Sequence, residues 1–406
     1  MTYDLLIIGA GISGLSLAHL GHRQGLKVLV LDAALRVGGC IATHNFSELN
    51  EFWVEAGAHT CFNSYGNLIN ILNDVGLTSH IKPKARVNFK ILRHDKLKSV
   101  LTALRPLELV WHLPRLSRET KVGRSVKEYY SRILGEKNYR DLFGPAFNAV
   151  ICQPADEFPA ELLFRPKPRR KGLPRSFIFS QGLSTISNAI ATQIGIKVVT
   201  NANVVTVEIN SDGEMQAITA DGQAYIAKNL ALAVPPDKAA GILSRTFGDL
   251  AGFLANIRMA EIASISLAVA NKTLKLSPLA GIIAPYEPFY SAVTRDYLKD
   301  SQYRGFTFHF PKDQLDTIRQ LERIREILKI PKTEAIPIAY TQHRLPALRA
   351  NHIDWIAKID KALAKTNLML TGNYFLGVSM EDCVTRSVHE WQRVMDNGAK
   401  TLRRHS

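Results

Sequence analysis

Six residues near the start of the chain constrain its fold more than any others: Gly9-Ala10-Gly11-Ile12-Ser13-Gly14. The apolar run from Asp4 to Ile8 reads as a buried strand, Ile12 to about Gln24 as a helix, and Lys27 to Leu31 as a second strand ending at Asp32. That order is a βαβ unit with two parallel strands. In such a unit Gly9 allows the tight turn, Gly11 lets a diphosphate approach the backbone, and Gly14 lets helix and strand pack closely. The helix start offers N–H groups and partial positive charge. Asp32 is placed to accept from ribose hydroxyls and to repel a 2′-phosphate. The competing reading is an ordinary glycine-rich turn, but the preceding strand, the following helix and the acid in register all weigh against it.

At 406 residues the chain exceeds what one core holds, so a cofactor domain and a substrate domain are expected. Hydrophobic residues form 46% and charged residues 21%, the composition of a folding globular chain. A net charge of +15 points to an acidic ligand, an anionic surface or simply a basic exterior. Cys40, Cys61, Cys152 and Cys383 lack CxxC spacing, which argues against a zinc site or a disulfide framework and for a reducing cytoplasm. No metal is expected. Asp4 and the lack of a basic flank argue against reading the apolar start as a signal peptide. No apolar run reaches the roughly 18 residues of a membrane span, so membrane contact is expected to be peripheral at most. No nucleic-acid-binding module is visible.

Along the chain, Lys82 to Arg124 is basic, leucine-rich and broken by Pro83, Pro106 and Pro114. Val100, Leu104, Leu107 and Trp111 follow helical spacing, and Arg165 to Lys171 reads as a proline-stiffened connection. Strand patterns return at Lys197 to Val199, Asn203 to Ile209, Leu230 to Val234 and Leu368 to Gly372, with a charged helix at about Asp313 to Leu328. The expected division is a cofactor domain in three parts, 1–81, 173–245 and 366–396. A basic helical insertion or substrate segment occupies 82–172, a substrate domain 246–365 and a tail 397–406. The fold class is α/β: a Rossmann-like cofactor domain, an interleaved α+β substrate domain and the helical basic insertion.

After Asp32 come Arg36-Val37-Gly38-Gly39 and then Glu55-Ala56-Gly57-Ala58-His59, further places where backbone can approach a long, flat cofactor. The chain closes with Thr371-Gly372-Asn373-Tyr374-Phe375-Leu376-Gly377-Val378-Ser379-Met380-Glu381-Asp382-Cys383. Met380, Val384, Val388, Trp391 and Met395 mark one face of a helix, and Ser379 with Asp382 forms a capping-box pattern at its start. Together these segments resemble the flavin amine oxidase and protoporphyrinogen oxidase superfamily, and the closing signature resembles the protoporphyrinogen oxidase-like branch most. Two departures stand out: Cys40 where arginine commonly follows the glycine pair, and Gln181 in Phe179-Ser180-Gln181-Gly182-Leu183 where a glycine is usual.

The resemblance implies noncovalent FAD held by Gly9, Ala10, Gly11, Ile12, Ser13 and Gly14, by Asp32, and by Arg36, Gly38, Gly39 and Cys40. It extends the site to Gly57, Ala58, His59, Val204 and Pro235, and to Gly372, Asn373, Val378, Ser379 and Met380. The helix after Ser379 could stabilise negative charge on the flavin carbonyl edge. His59 reads equally as a ligand contact or a structural group, and Tyr374 and Phe375 as ring-face or core residues. Cys383, inside a helix, does not match a covalent flavin attachment.

The implied activity is hydride transfer from a carbon of a small-molecule substrate to flavin N5, with a carboxylated tetrapyrrole among the candidates and oxygen or a quinone as electron acceptor. No residue stands out as catalytic acid or base. The alternatives are a flavin amine oxidase, a carotenoid or polyene desaturase, and a non-catalytic flavin-binding scaffold. The basic insertion reads as a solvated face, as a peripheral contact with an anionic membrane, or as a means of attracting a carboxylated substrate.

Overall fold

The computed structural model describes residues 2–405, with side chains over 2–397. The expected tail, 397–406, therefore lies almost wholly outside the described side chains. The chain is organised on two large sheets.

In the first sheet Thr2–Ile8 lies parallel to Val28–Leu31 on one side and to Ala224–Leu232 on the other. Ile196–Val199 extends the sheet beyond Val28–Leu31, and Leu368–Leu370 pairs in parallel with the end of Ala224–Leu232. Met215–Thr219 and Val204–Ile209 complete it as antiparallel additions. Strands from the beginning, middle and end of the sequence thus meet in one layer. Leu5, Leu6 and Ile7 are all 0% exposed because a parallel strand covered on both faces has no polar side, which is why this run shows no alternation. Leu5, Ile7, Val28 and Val30 pack toward the helices Ile12–Arg23 and Met380–His405, while Leu6, Ile8, Leu29 and Leu31 pack with Leu243 and Ile359 on the opposite face.

The second sheet runs in the order Ile338–Pro346, Met259–Ala270, Tyr303–Pro311, Ser291–Thr294, Gly281–Ile283, Phe89–Arg93 and Lys96–Ser99. One face buries Ile265, Leu267, Phe306, Phe308 and Phe310 against Ile324 and Leu328 of the helix Thr317–Leu328. That helix starts later than the charge pattern suggested because Asp316 caps it, accepting from Arg319 N. The last two strands come from the basic segment. Its α-helix begins only at Pro106, after a 3-10 turn at Val100–Ala103, and the stripe expected at Val100, Leu104, Leu107 and Trp111 divides: Val100 and Leu104 pack inward beside Ile91 and Leu142, while Leu107 and Trp111 face out.

The glycine turn is held by close contacts. Gly9 adopts φ +106°, and a side chain on it would strike Ala233 O at 2.5 Å. A Cβ on Gly14 would lie only 1.9 Å from Gly9 O, so strand end and helix touch through bare backbone. Gly14→Ala is expected to destabilise the protein by about 1–3 kcal/mol through overpacking. An unchanged urea midpoint would contradict that packing role.

Candidate functional site

Several separated segments converge on the glycine turn. Gly38 N donates to Ala10 O at 2.8 Å, docking the Arg36–Cys40 loop onto it. Cys40 O accepts from Ala58 N at 2.9 Å and lies 2.1 Å from where a Cβ on Gly57 would sit, so only glycine fits there. Ala233 N donates to Ile8 O at 2.8 Å, which brings Val234 and Pro235 beside Gly9. From the far end of the sequence, Thr371 N donates to Leu232 O at 3.1 Å and Ser387 Oγ bridges to Ser13 O at 2.9 Å. Gly372 and Asn373 directly follow Thr371. Val378 and Ser379 lead into the helix at Met380, where Ser379 and Asp382 cap each other reciprocally at 3.2 Å.

Asp32 Oδ2 accepts from Ala10 N at 2.6 Å and Oδ1 from Ala34 N at 2.7 Å. The carboxylate therefore fixes the turn, and its remaining lone pairs are free for a ligand. Asn201 N donates to Ala34 O and Ala202 N to Asp32 O, at 3.0 and 2.8 Å, so the chain leading to Val204 passes the same edge. The helix Ile12–Arg23 starts here with no side-chain cap and no acid in its first turn. Gly11, extended at φ −72°, opens onto space: a side chain placed on it would meet nothing within 4 Å. An uncapped helix start beside free space is suited to an anion.

Two residues show that the space continues inward. Cys40 is exposed, yet burial raises its thiol pKa. His59 is half-exposed, yet burial, with help from the Lys84 charge, lowers its pKa to about 3. Both line an internal cleft rather than the outer surface.

Beside this cleft lies the second face of the second sheet, which is buried but polar. Ser264 and His309 pair across strands, with Oγ to Nδ1 at 2.8 Å, as do Ser266 and Thr307 at 2.9 Å. Thr307 Oγ1 also donates to Glu55 O at 2.8 Å, and His343 Nε2 donates to Ala56 O at 2.7 Å, so this face rests on the Glu55–His59 segment. Glu55 itself accepts from Leu183 N at 2.7 Å and Thr43 Oγ1 at 2.9 Å, yet burial raises its pKa to about 8. Lys84 Nζ donates to Thr60 Oγ1 at 2.6 Å and lies 3.7 Å from the Tyr297 ring centre; burial lowers its pKa to about 8 against the pull of Glu55.

The sequence profile of the NAD(P)-binding Rossmann-like domain matches residues 7–75. A flavin-containing amine oxidase of Danio rerio is 23% identical over 267 residues, covering 58% of this chain and 50% of that relative. The chain therefore spans about half of that relative's length. A solved structure from an Exiguobacterium species, named provisionally as a protoporphyrinogen oxidase, superposes with a TM-score of 0.78 at 16% identity, covering 98% of this chain and 99% of the other. A putrescine oxidase redesigned at its cofactor site superposes at 0.71 and 16% identity, covering 97% and 99%. The chain shares the fold of these two solved structures, and residues 7–75 match the Rossmann-like domain.

Arg36 turns its guanidinium back on its own loop, donating to Val37 O, Ile41 O and Gly39 O at 3.1, 3.0 and 2.8 Å, and so acts as a staple. Tyr374 and Phe375 are core residues, not walls of the cleft. Cys383 is buried in the helix, its thiol pKa pushed up to about 12 by burial. In the turn Phe179–Leu183 Gln181 is exposed, and Gly182, at φ +81°, is the residue that needs glycine.

Sequence reasoning missed Lys84, Ser264, Thr307, His309 and His343. A signal existed in the alternation Phe306-Thr307-Phe308-His309-Phe310, which announces a strand with two chemically different faces.

These groups set the pH dependence of stability. His59 and His309, both held near about 3, stay neutral when folded but bind protons below about 6.5 when unfolded, so stability falls as pH drops from 6.5 toward 3. Glu55, raised to about 8, binds its proton more tightly when folded, so its contribution is lost as pH rises from 4.5 to 8. Urea midpoints measured across pH are expected to show both limbs. Glu55→Gln should flatten the upper limb and His309→Asn should weaken the lower one.

Proposed function

We propose that the protein is an FAD-dependent oxidoreductase of the protoporphyrinogen oxidase-like kind, acting on a carboxylated ring substrate, with a tetrapyrrole as the leading candidate. The observation that carries this reading is the uncapped start of Ile12–Arg23 opening on free space at Gly11, ringed by four further backbone segments. An elongated dinucleotide with a flat ring system suits that many approaches of bare backbone better than a nicotinamide cofactor does.

The residues present fit FAD. Gly11 and the first turn of the helix would hold the diphosphate, Asp32 the ribose, and the backbone near Val204 the adenine. The Cys40, Gly57–His59 and Val378–Met380 segments would border the ring. FAD, when bound, supplies the acceptor for a hydride leaving a substrate carbon. The chain's own contribution is position and dryness, with the uncapped start of Ile12–Arg23 turned toward the diphosphate position. The hydroxyls and imidazoles of the polar sheet face pair with one another and with the Glu55–His59 segment, which fixes that segment in position and keeps bulk water out from behind it. None of these groups is assigned as an acid or base.

One side chain bears on the choice of substrate: Lys84, half-buried beside His59 and Thr60, favours a carboxylate and repels an ammonium group, which weighs against an amine. The visible spectrum of purified protein is expected to show bands near ~370 and ~450 nm that release FAD on denaturation. Anaerobic bleaching by protoporphyrinogen or coproporphyrinogen, with no response to amines or polyenes, supports the reading. Bleaching by amines alone overturns the substrate class, and a loaded flavin that no donor reduces favours a scaffold.

Gly11→Val separates cofactor binding from folding. The position has extended backbone and open space around it, so thermal stability without flavin should stay unchanged. FAD affinity, read by fluorescence quenching, should fall at least about a hundredfold because the side chain occupies the diphosphate position. Equal affinity in the variant would place the diphosphate elsewhere.

A further inference from the structure

The basic connection Arg165-Pro166-Lys167-Pro168-Arg169-Arg170-Lys171 carries neither helix nor strand over residues 165–170. Each proline fixes its own φ and biases the residue before it toward extended backbone, which sends the side chains of Arg165 and Lys167, two residues apart, the same way. Both reach the closing segment of the chain. Arg165 Nη1 donates to Leu376 O at 3.2 Å, and Lys167 Nζ donates to Asp382 Oδ1 at 2.7 Å and to Ser379 Oγ at 3.1 Å. The other end of the connection is fastened as well. Arg170 N donates to Asn63 O at 2.8 Å, Asn63 Nδ2 to Arg170 O at 3.1 Å, and Arg170 Nη2 to Asn70 Oδ1 at 2.5 Å. The connection is thus a strap between the Leu376–Asp382 segment and the helix Gly66–Asp74. Glu381 ties the same two parts directly, accepting from Asn67 N and Leu68 N at 2.9 and 3.0 Å.

Asp382 is the centre of the contact. Its Oδ2 accepts from Ser379 N at 3.2 Å and Ser379 Oγ at 2.5 Å, while Oδ1 is held by Lys167. The same carboxylate shapes the turn before it: Gly377 adopts φ +137°, and a Cβ there would lie 2.7 Å from Asp382 Oδ2. The Asp382 side chain is 10% exposed and that of Lys167 23%, so the pair is largely out of water. Without the ammonium, Asp382 would keep a desolvated charge with no cation beside it, and it would have to take up a proton or turn outward. Either change releases what it fixes, namely Ser379 N and the turn at Gly377.

We infer that Lys167 is a positioning residue for the cofactor, acting through Asp382 to hold the Gly377–Met380 segment where it borders the flavin ring. This rests on the reading of the neighbouring space as an FAD site. Lys167 itself touches the capping pair and not the reacting atoms, so its effect is on how tightly the ring is held.

Two measurements on the full-length protein test this. In hydrogen exchange without flavin, the peptide spanning 376–382 is expected to exchange at least about tenfold faster in Lys167→Met, and Lys167→Arg should restore most of the protection. FAD affinity, read by fluorescence quenching, should fall at least about tenfold in Lys167→Met and recover in Lys167→Arg. Asp382→Asn should weaken binding too, and combining it with Lys167→Met should lose no more than the larger single change, because the two act as one unit. Arg169 is exposed and makes no ion pair among the described residues, so Arg169→Met should move neither readout. Unchanged exchange in Lys167→Met overturns the inference, as do additive losses in the double variant or an equal effect of Arg169→Met, which would assign the result to net charge. FAD binding that Lys167→Met leaves intact overturns the inference alone. Faster exchange in a chain whose wild type binds no FAD overturns the cofactor reading and leaves only the clamp.

Discussion

Gly9 and Gly14 meet where a side chain would have to be, 1.9 Å from a carbonyl oxygen, and the architecture around the glycine turn follows from that contact. Because the helix can start this close to the strand end, its first turn is left uncapped at the edge of the sheet. Asp32 then fixes the turn through Ala10 N, and Gly38 closes over Ala10 O. Each later segment docks against something already held: Ala58 on Cys40, Ala233 on Ile8, Thr371 on Leu232. The site is therefore made mostly of backbone, which explains why glycine rather than any reactive side chain dominates its sequence signature.

The second sheet supplies what that backbone lacks. Its apolar face forms a core of its own through Phe306, Phe308 and Phe310, so the opposite face is free to carry polar groups. Those groups are buried by the Glu55–His59 segment, and burial acts on them in opposite directions. It holds the imidazoles of His59 and His309 neutral and raises the Glu55 carboxyl toward neutrality. The result is an internally paired layer with little fixed charge that holds the Glu55–His59 segment in place.

The basic segment joins these two parts. Its hairpin completes the second sheet, while its helix Pro106–His112 is fastened by Glu108 and His112 so that its apolar side faces outward. Apolar surface next to unpaired cations gives the molecule one face unlike the rest, and most of the net charge of the chain lies in that same stretch.

The first βαβ unit, the return of the later strands to its sheet and the capping box at Ser379 were legible in the sequence, because each depends on local spacing and on residues with one dominant use. The tight turn at Gly9 and the close packing at Gly14 were legible for the same reason. Arg36 was not, since its guanidinium could have reached a ligand or its own loop, and only the fold of the loop decides which. Lys84, His309 and His343 became site neighbours through contacts that span the two sheets, and no local pattern encodes such distances. The stripe from Val100 to Trp111 shows the same limit: helical spacing was present, but Pro106 and the bonds of Glu108 and Asn138 turned its halves in opposite directions. Sequence alone determined the elements and the glycine turn, whose geometry is local. Tertiary structure decided which side chains share a buried face, because burial depends on what the rest of the chain places above them.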